Sequence, residues 1–475
     1  MSKSRAKLFI ENFMAYGAIN ALNKVVPLLM LPIITRLLTD TAEFGKFDMY
    51  ITIMSLGSSL AVLGMNDAMF REYFEKDDKD YRQRVTSLSL IIVLISSLIL
   101  SIILIFFNHS LSQFFLGDIQ SGSIVVMASI GLLIAAISKI ISTPTRIQNK
   151  RTVYVVSGLL YSITYYILAI TLVYFGFGYK GMIYGNLVSA SIILIFFITL
   201  NRKFFNLKVF DKKIIKELFK IGLPLMPTFI IYWVFNSMDK IMIANMLNLA
   251  QVGIYSVGAK VASISLFIYT AFSGGWQYFA YSTMKDKDQV GLTSKILEYL
   301  GIISFFAFFI AIFFDDFIFR IIFTGDYVLG SSVFPYLFLS PLLLMLFQTA
   351  GNQFLIAKKS YLITVSLIIG VLTNVTLNYI FINTYGIKGA SLATLIGYSI
   401  SAIIMIIMVK RVKLIEISTR FILVSMATAA TVIIIFLFDN INSNIFSFLG
   451  IVLIFILYTR DIKTIITSLI RRNDN

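Results

Sequence analysis

Apolar blocks about as long as a membrane-spanning helix recur along the whole chain. Residues 88–107, for example, are apolar throughout except for small hydroxyl side chains. A helix needs about 20 such residues to cross a bilayer, and the block lacks the apolar/polar alternation that would indicate a strand. Only 13% of the 475 residues are charged, which excludes an ordinary soluble domain. The sequence therefore predicts an all-helical integral membrane protein.

Positively charged residues are distributed unevenly between the connections of these blocks. We expect about fourteen spans, near residues 11–35, 47–70, 85–107, 121–143, 153–175, 182–200, 221–239, 251–274, 297–319, 332–356, 361–384, 390–409, 420–438 and 443–459. Alternate connections hold 31 of the 40 Lys and Arg residues, the other connections hold six, and three lie inside spans. Because Lys-rich and Arg-rich connections stay in the cytoplasm, both termini are predicted to be cytoplasmic. The net charge of +16 then needs no nucleic-acid partner, since no basic domain stands outside the membrane.

Short features recur at an offset of 208 residues. The turn 178–181 (Gly-Tyr-Lys-Gly) matches 386–389 (Gly-Ile-Lys-Gly), and Phe-Gly-Lys-Phe at 44–47 matches Val-Gly-Ile-Tyr at 252–255. Six spans separate matching points, so the two halves share an orientation and a pseudo-two-fold axis should run along the membrane normal. The predicted domains are an N-terminal lobe (1–208, spans 1–6), a C-terminal lobe (209–416, spans 7–12) and two additional spans with a cytoplasmic tail (417–475).

These passages resemble a known family. The hairpin from Arg36 to Phe47, the stretch from Asp239 to Tyr255 and the two Gly-x-Lys-Gly turns are similar to those of the O-antigen and capsule repeat-unit flippases. That family is the polysaccharide transporter branch of the multidrug/oligosaccharidyl-lipid/polysaccharide exporter superfamily, and the resemblance extends over essentially the whole chain. It implies a bacterial cytoplasmic-membrane flippase that moves undecaprenyl-diphosphate-linked oligosaccharide repeat units from the inner to the outer leaflet by alternating access. It also implies membrane lipids, a polysaccharide polymerase and a chain-length regulator as candidate partners.

Two other functions remain open. A multidrug or cation antiporter of the same superfamily would couple transport through carboxylates inside a lobe, whereas the acidic residues here are predicted at span ends or in loops. A membrane-embedded polysaccharide polymerase would present charged clusters in a large outer loop, and every predicted outer connection is short. The sequence contains no cysteine, so no thiolate metal site exists, and no nucleotide-binding loop motif occurs. A transporter without cofactor or metal is therefore expected rather than an enzyme.

A polar headgroup with a diphosphate needs positive charge along its path, because buried charge must be paired, and cations inside spans are the first candidates. Asn20, Asn23 and Lys24 share one face of span 1 and would line a hydrated cleft or make interhelical contacts. Lys260 lies deep in span 8 and would meet either the substrate or a carboxylate, that of Asp239 or Asp67.

Three more cations are predicted near the cytoplasmic ends of spans. Lys139 in span 4 would bind substrate or extend to the interface. Arg71 and Arg146 would capture the diphosphate at the entrance, since a guanidinium binds phosphate in bidentate fashion, or would only fix the topology.

The outer ends of spans carry charges of both signs. Arg36 with Asp40, and Asp239 with Lys240, are predicted to form gating or structural ion pairs. Pro27 and Pro32 in span 1, and Pro224 and Pro227 in span 7, each free a backbone carbonyl, so these positions are predicted hinges or static kinks.

Overall fold

The computed structural model describes residues 25–270, 272, 276, 287–438 and 442–473. Within these ranges all regular secondary structure is helical, which confirms the predicted fold class. The helices are α1 (Val25–Leu37), α2 (Thr41–Val62), α3 (Met65–Tyr73), α4 (Lys79–Phe106), α5 (Asn108–Leu116), α6 (Gly122–Ile147), α7 (Arg151–Leu172), α8 (Gly178–Asn201), α9 (Lys212–Gly222), α10 (Met226–Met246), α11 (Leu249–Ala262), α12 (Gln289–Ile322), α13 (Phe334–Ile356), α14 (Tyr361–Arg411), α15 (Thr419–Leu437) and α16 (Ser443–Asn473).

Eleven of the described helical stretches are long and apolar enough to cross a membrane. Two of them, Thr152–Phe204 and Tyr361–Arg411, hold 53 and 51 residues, more than twice the length of about 20 that one crossing needs. Each is long enough for two crossings, and each is interrupted by a non-helical glycine where the chain can turn back. The described end of predicted span 1 forms α1. This architecture agrees with the fourteen spans expected from the sequence.

The two glycine interruptions occur at matching points of the 208-residue repeat. Gly178 has φ 54° and ψ −140°, and Gly386 has φ 60° and ψ −141°. Side chains of L-residues are excluded from this part of conformational space, so only glycine adopts it readily. The two halves of the sequence therefore reuse one turn geometry.

Predicted span 2 (47–70) is two helices rather than one. Leu63 (φ 51°) and Gly64 (φ 69°) are both left-handed, which ends α2 and separates it from α3. A Cβ atom at Gly64 would collide with the backbone of Gly222. The break is thus fixed by a close backbone contact that the hydropathy pattern does not record.

The described chain divides into two compact units. Unit 1 holds the chain up to Val257 together with Phe323–Tyr327 and Asn378–Ile387, and unit 2 holds Gly258–Ile322, Val328–Leu377 and the chain from Lys388 onward. The lobe boundaries proposed from the repeat stay a prediction.

Unit 1 is a helical bundle whose interior contains a polar chain. Tyr50 on α2 donates its hydroxyl to Asn186 Oδ1 on α8 at 3.0 Å, and Asn186 Nδ2 donates to the Tyr161 hydroxyl oxygen on α7 at 2.8 Å. Tyr50 is fully buried. Because a polar atom in an apolar interior must be paired, this chain fixes how α2, α7 and α8 pack together.

In unit 2 the C-terminal helices α15 and α16 pack on α12. Arg420 on α15 contacts Asp461 on α16 at 2.7 Å and Glu298 on α12 at 3.5 Å. Tyr458 donates to Glu298 at 2.6 Å, and Tyr299 donates to Asp461 at 3.1 Å. These residues form a charged network at one end of the three helices, which joins the two additional spans to the rest of unit 2.

The other end of α15 is held by Lys388. Its Nζ donates to the carbonyl oxygens of Ile435 and Phe436 at 3.2 and 3.0 Å. These carbonyls lie in the last turn of α15, where helix geometry leaves them without backbone partners and a cation is favoured. A lysine from a turn of the repeat therefore caps a helix outside it.

Candidate functional site

The C-terminal half of α6 and the short helix α3 form a surface at the predicted cytoplasmic side of unit 1. Thr143 on α6 donates its hydroxyl to Asn66 Oδ1 on α3 at 2.9 Å, and both side chains are buried. On the opposite side of α6, Asn201 Nδ2 donates to Thr145 Oγ1 at 2.9 Å. These contacts fix the rotation of α6, so that its exposed side chains point away from the core.

Arg71, Lys139 and Arg146 lie on this surface, and we call them the cationic face. Lys139 and Arg146 are two turns apart on α6, and all three side chains are exposed. The Arg146 guanidinium carbon lies 5.9 Å from the ring centre of Phe70, the neighbour of Arg71 on α3. The structure therefore places two predicted substrate ligands, Lys139 and Arg146, on one side of α6, and the third, Arg71, on α3 next to the ring that Arg146 contacts.

The carboxylates near this face engage its cations unequally. Arg71 is 3.6 Å from Glu72 and 3.9 Å from Glu75, so its guanidinium is partly occupied. Lys139 lies close enough to Asp67 and Arg146 to interact electrostatically with both. Lys139 and Arg146 are thus the cations of the face that are best placed to receive an anion.

Four further residues are predicted as substrate ligands. Asn20, Asn23 and Lys24 lie outside the described residues. Lys260 is half-buried in the last turn of α11, where its carbonyl oxygen accepts a hydrogen bond from Ser263 Oγ at 2.6 Å. The role of these four residues in substrate binding stays a prediction.

A second constellation lies at the predicted outer side of unit 1, and we call it the outer cluster: Asp48, Asp239, Lys240, Tyr255 and Ser256. Lys240 Nζ contacts Asp48 Oδ2 at 2.7 Å, and Ser256 Oγ donates to the same oxygen at 2.8 Å. Tyr255 donates its hydroxyl to Asp239. Asp48 is 2% exposed and Asp239 5%, so both carboxylates are removed from bulk water. The outer cluster joins α2, α10 and α11.

Two glycines beside the outer cluster bring α2 and α11 into backbone contact. A Cβ atom at Gly45 would collide with the carbonyl oxygen of Leu249, and one at Gly253 would collide with that of Thr41. Gly253 follows Gly45 by 208 residues, as Leu249 follows Thr41. The two contacts are therefore reciprocal, as expected for helices related by a local two-fold axis, and Asp48 and Ser256 have the same offset.

The charges at the start of α2 are arranged differently from the expected pairs. Arg36 is exposed and forms no ion pair with Asp40 or with any other described residue. Asp40 instead caps α2 by accepting a hydrogen bond from the backbone N–H of Ala42 at 2.9 Å. Lys240 on α10 contacts Asp48 and also interacts electrostatically with Asp239, its predicted partner. The gating role of these residues stays a prediction.

Asp118, a carboxylate outside the membrane-spanning segments, has a shifted pKa. The Ser121 hydroxyl and the Gln120 backbone N–H donate to the Asp118 carboxylate at 2.6 and 2.9 Å. These two hydrogen bonds hold the pKa of Asp118 below its usual range. Asp118 therefore stays charged in the connection between α5 and α6.

The four predicted hinge prolines occupy two kinds of position. Pro27 and Pro32 lie within α1. Pro224 lies in the 3₁₀ turn Leu223–Leu225 that separates α9 from α10, and Pro227 lies in the first turn of α10. A proline at a helix start removes no backbone hydrogen bond, so the second pair marks a junction between helices. The hinge role of the four prolines stays a prediction.

Asp48, Tyr255 and Ser256 were not among the residues predicted from the sequence. A carboxylate at the start of a predicted apolar helix, as at Asp48 in predicted span 2 (47–70), is a recognisable signal, because such residues are costly and carry a function or a partner. The offset of 208 residues between Asp48 and Ser256 is a second signal. Neither one reveals that Lys240 completes the set.

Comparison with known proteins identifies the family. A family model described as "Polysaccharide biosynthesis protein" matches residues 33–329, which is more than half of the chain. The chain belongs to this family. No curated protein sequence matches it.

Several solved structures share the fold. The lipid II flippase MurJ in an inward closed conformation is 17% identical, with a TM-score of 0.73 over 96% of this chain and 100% of that one. An inward-facing multidrug resistance MATE family transporter of the MOP superfamily is 16% identical, with a TM-score of 0.65 over 82% and 94%. A MOP superfamily transporter from Pyrococcus furiosus is 17% identical, with a TM-score of 0.58 over 84% and 95%. The polysaccharide biosynthesis protein described here therefore has the fold of these transporters, and the resemblance found in its sequence is confirmed.

Proposed function

We propose that the protein is a flippase that moves an undecaprenyl-diphosphate-linked oligosaccharide from the inner to the outer leaflet of the bacterial cytoplasmic membrane. The observation that carries the proposal is the exposed cationic face, with Lys139 and Arg146 two turns apart on α6, in a member of a polysaccharide biosynthesis family. A structure with the same fold is that of a lipid II flippase. A cationic surface at the predicted cytoplasmic end is where a substrate from the inner leaflet would enter.

The chemistry of the substrate explains why cations are needed there. A diphosphate carries negative charge that cannot enter the bilayer unpaired. A guanidinium provides paired hydrogen bonds to phosphate oxygens and a lysine provides a point charge. The lipid tail has no such need, because it can remain in the membrane during transport. In this proposal Lys139 and Arg146 hold the diphosphate before the lobes 1–208 and 209–416 exchange access by rocking.

The cellular setting is part of the proposal. Both termini would lie in the cytoplasm, as the distribution of Lys and Arg predicts. A polysaccharide polymerase and a chain-length regulator would act on the glycan after translocation. They are proposed as functional partners on the grounds of the family alone.

A drug or cation antiporter is the second candidate. The buried carboxylates of Asp48 and Asp239 and the fold shared with a MATE family transporter favour it. In this alternative the outer cluster would bind the coupling ion, and the cationic face would have no ligand role. The two functions therefore assign the essential chemistry to different ends of unit 1.

Purified protein in proteoliposomes can separate the two functions. We expect wild-type protein to translocate a fluorescent polyprenyl-diphosphate sugar, and K139Q and R146Q each to slow this by about tenfold or more, because a hydrogen bond to a charged group contributes about 1.5–3 kcal/mol. R320Q is the matched control, since Arg320 is also exposed but pairs with Asp316 at 2.7 Å at the predicted outer side.

Two results would contradict the proposed flippase function. One is efflux of a cationic drug without movement of the lipid-linked sugar. The other is a wild-type translocation rate in K139Q, R146Q and the double variant, provided that all three elute as folded protein in detergent.

A further inference from the structure

The connection between α8 and α10 is the most basic segment of the chain. Residues 202–220 contain seven Lys and Arg residues, all of them exposed, and we call this segment the basic connector. Its acidic residues are Asp211, which caps α9 and lies 3.8 Å from Arg84, and Glu217, which lies 3.4 Å from Lys220. The segment therefore presents a strong excess of positive charge to its surroundings.

The helix α9 within the connector is fixed in rotation. Ile214 and Leu218 are buried, and α9 packs against α3 and α4. Gly222 at its end touches the backbone of Gly64. Because the apolar side of α9 packs against its own unit, the lysines on the other side are held facing away from that unit. These lysines are Lys212, Lys213, Lys216 and Lys220.

The connector also exposes large apolar side chains next to these cations. Phe210 is 79% exposed and Leu207 is 61% exposed. Both precede α9 directly. Exposed apolar residues flanked by lysines are typical of segments that enter the boundary between headgroups and acyl chains of a membrane.

A cleft opens at the start of the connector. It has a volume of about 580 Å³ and is lined by Lys79, Arg82 and Lys203. Arg82 is held by Asp77 at 2.7 Å, and the acidic lining residue Asp80 is held by Arg84 at 2.6 Å. Because Arg82 and Asp80 are both paired, Lys79 and Lys203 give the cleft its positive charge, and its volume is sufficient for a phosphate-bearing headgroup.

The position of the connector restricts its partner. It follows α8 and leads through a 3₁₀ turn into α10, so both of its ends join helices long enough to cross the membrane. A surface tethered in this way lies within a few residues of the cytoplasmic headgroups. We infer that the basic connector is a docking surface for anionic lipid, with phosphatidylglycerol-type headgroups on its cations and with Leu207 and Phe210 in the interface. The inference does not depend on which substrate the protein carries.

The absence of cysteine from the sequence permits a background-free test on the full-length protein. L207C labelled with a nitroxide is reconstituted in phosphatidylcholine vesicles with and without phosphatidylglycerol. We expect the label to become accessible to oxygen and protected from a water-soluble nickel reagent only when phosphatidylglycerol is present. Combining L207C with K212Q, K213Q and K216Q should shift the docked-to-undocked ratio by roughly tenfold or more towards undocked, because each lysine near an anionic surface contributes about a fivefold factor.

A matched control removes the same charge elsewhere. K358Q, K359Q and K410Q together neutralise three exposed lysines of other predicted cytoplasmic connections and should leave the label docked. Equal label depth in both lipid mixtures would overturn the inference. So would loss of docking in the control variant, or release of the label by inorganic phosphate at constant ionic strength, which would identify a site for free phosphate.

Discussion

Replacing Lys240 by methionine is expected to lower the free energy of unfolding by about 3 kcal/mol or more. The substitution removes the ammonium group that contacts Asp48 at 2.7 Å, while the Asp48 carboxylate stays buried. Breaking a buried ion pair from one side is more costly than the pair itself is stabilising, because a charge is left behind in an apolar interior. Unfolding in mixed detergent micelles, followed by intrinsic fluorescence, measures the change.

A more exposed pair on α2 provides the control. Lys46 contacts Glu43 at 3.2 Å with both side chains about one quarter exposed, so K46M should cost less than about 1 kcal/mol. In addition, D48N combined with K240M should cost less than the two single changes together, since contacting residues are coupled. Equal losses in K46M and K240M would show that the outer cluster contributes no special stability.

Replacing Gly45 by valine is expected to separate α2 from α11 and to cost about 3 kcal/mol. The new Cβ atom would meet the backbone carbonyl of Leu249, which cannot rotate away as a side chain does. Relief of the collision requires movement of a whole helix, and the outer cluster would be pulled apart with it. Thermal unfolding in detergent should show a clearly lowered midpoint.

The matched change is G291A on α12, where nothing lies within 4 Å of the new Cβ atom. Alanine there should raise stability by up to about 1 kcal/mol through its higher helix propensity. A wild-type midpoint for G45V would mean that α2 and α11 are not in backbone contact in the folded protein.

The helices of this fold were largely predictable because a membrane imposes a length on each of them. Predicted span 3 (85–107) corresponds to α4 (Lys79–Phe106), and predicted span 5 (153–175) corresponds to α7 (Arg151–Leu172). The glycine turns were also visible, since Gly178 and Gly386 recur at a fixed offset. By contrast, the break at Leu63 and Gly64 depends on a distant contact with Gly222, which hydropathy cannot reveal.

The candidate site was predictable only as a set of residue types. Lys139 and Arg146 were identified because cations are rare near apolar helices, and seven residues of helix place them on one face. Their relation to Arg71 depends on the hydrogen bond between Thr143 and Asn66, two residues that no motif joins. The pairing of Asp48 with Lys240 could not be predicted for the same reason, because a partner 192 residues away in sequence gives no local signal.

Asp48 and Ser256 occupy matching positions of the 208-residue repeat, on the two sides of a local two-fold axis, yet they are different residues. Two separate, identical subunits would place the same residue on both sides of such an axis, and two carboxylates would then face each other at about hydrogen-bond distance, where they repel. Here one side is an acid and the other is an alcohol that donates to it at 2.8 Å. Because both halves belong to one chain, the two residues related by the axis can differ. A position where two identical carboxylates would repel each other therefore holds a carboxylate and a hydroxyl, which attract.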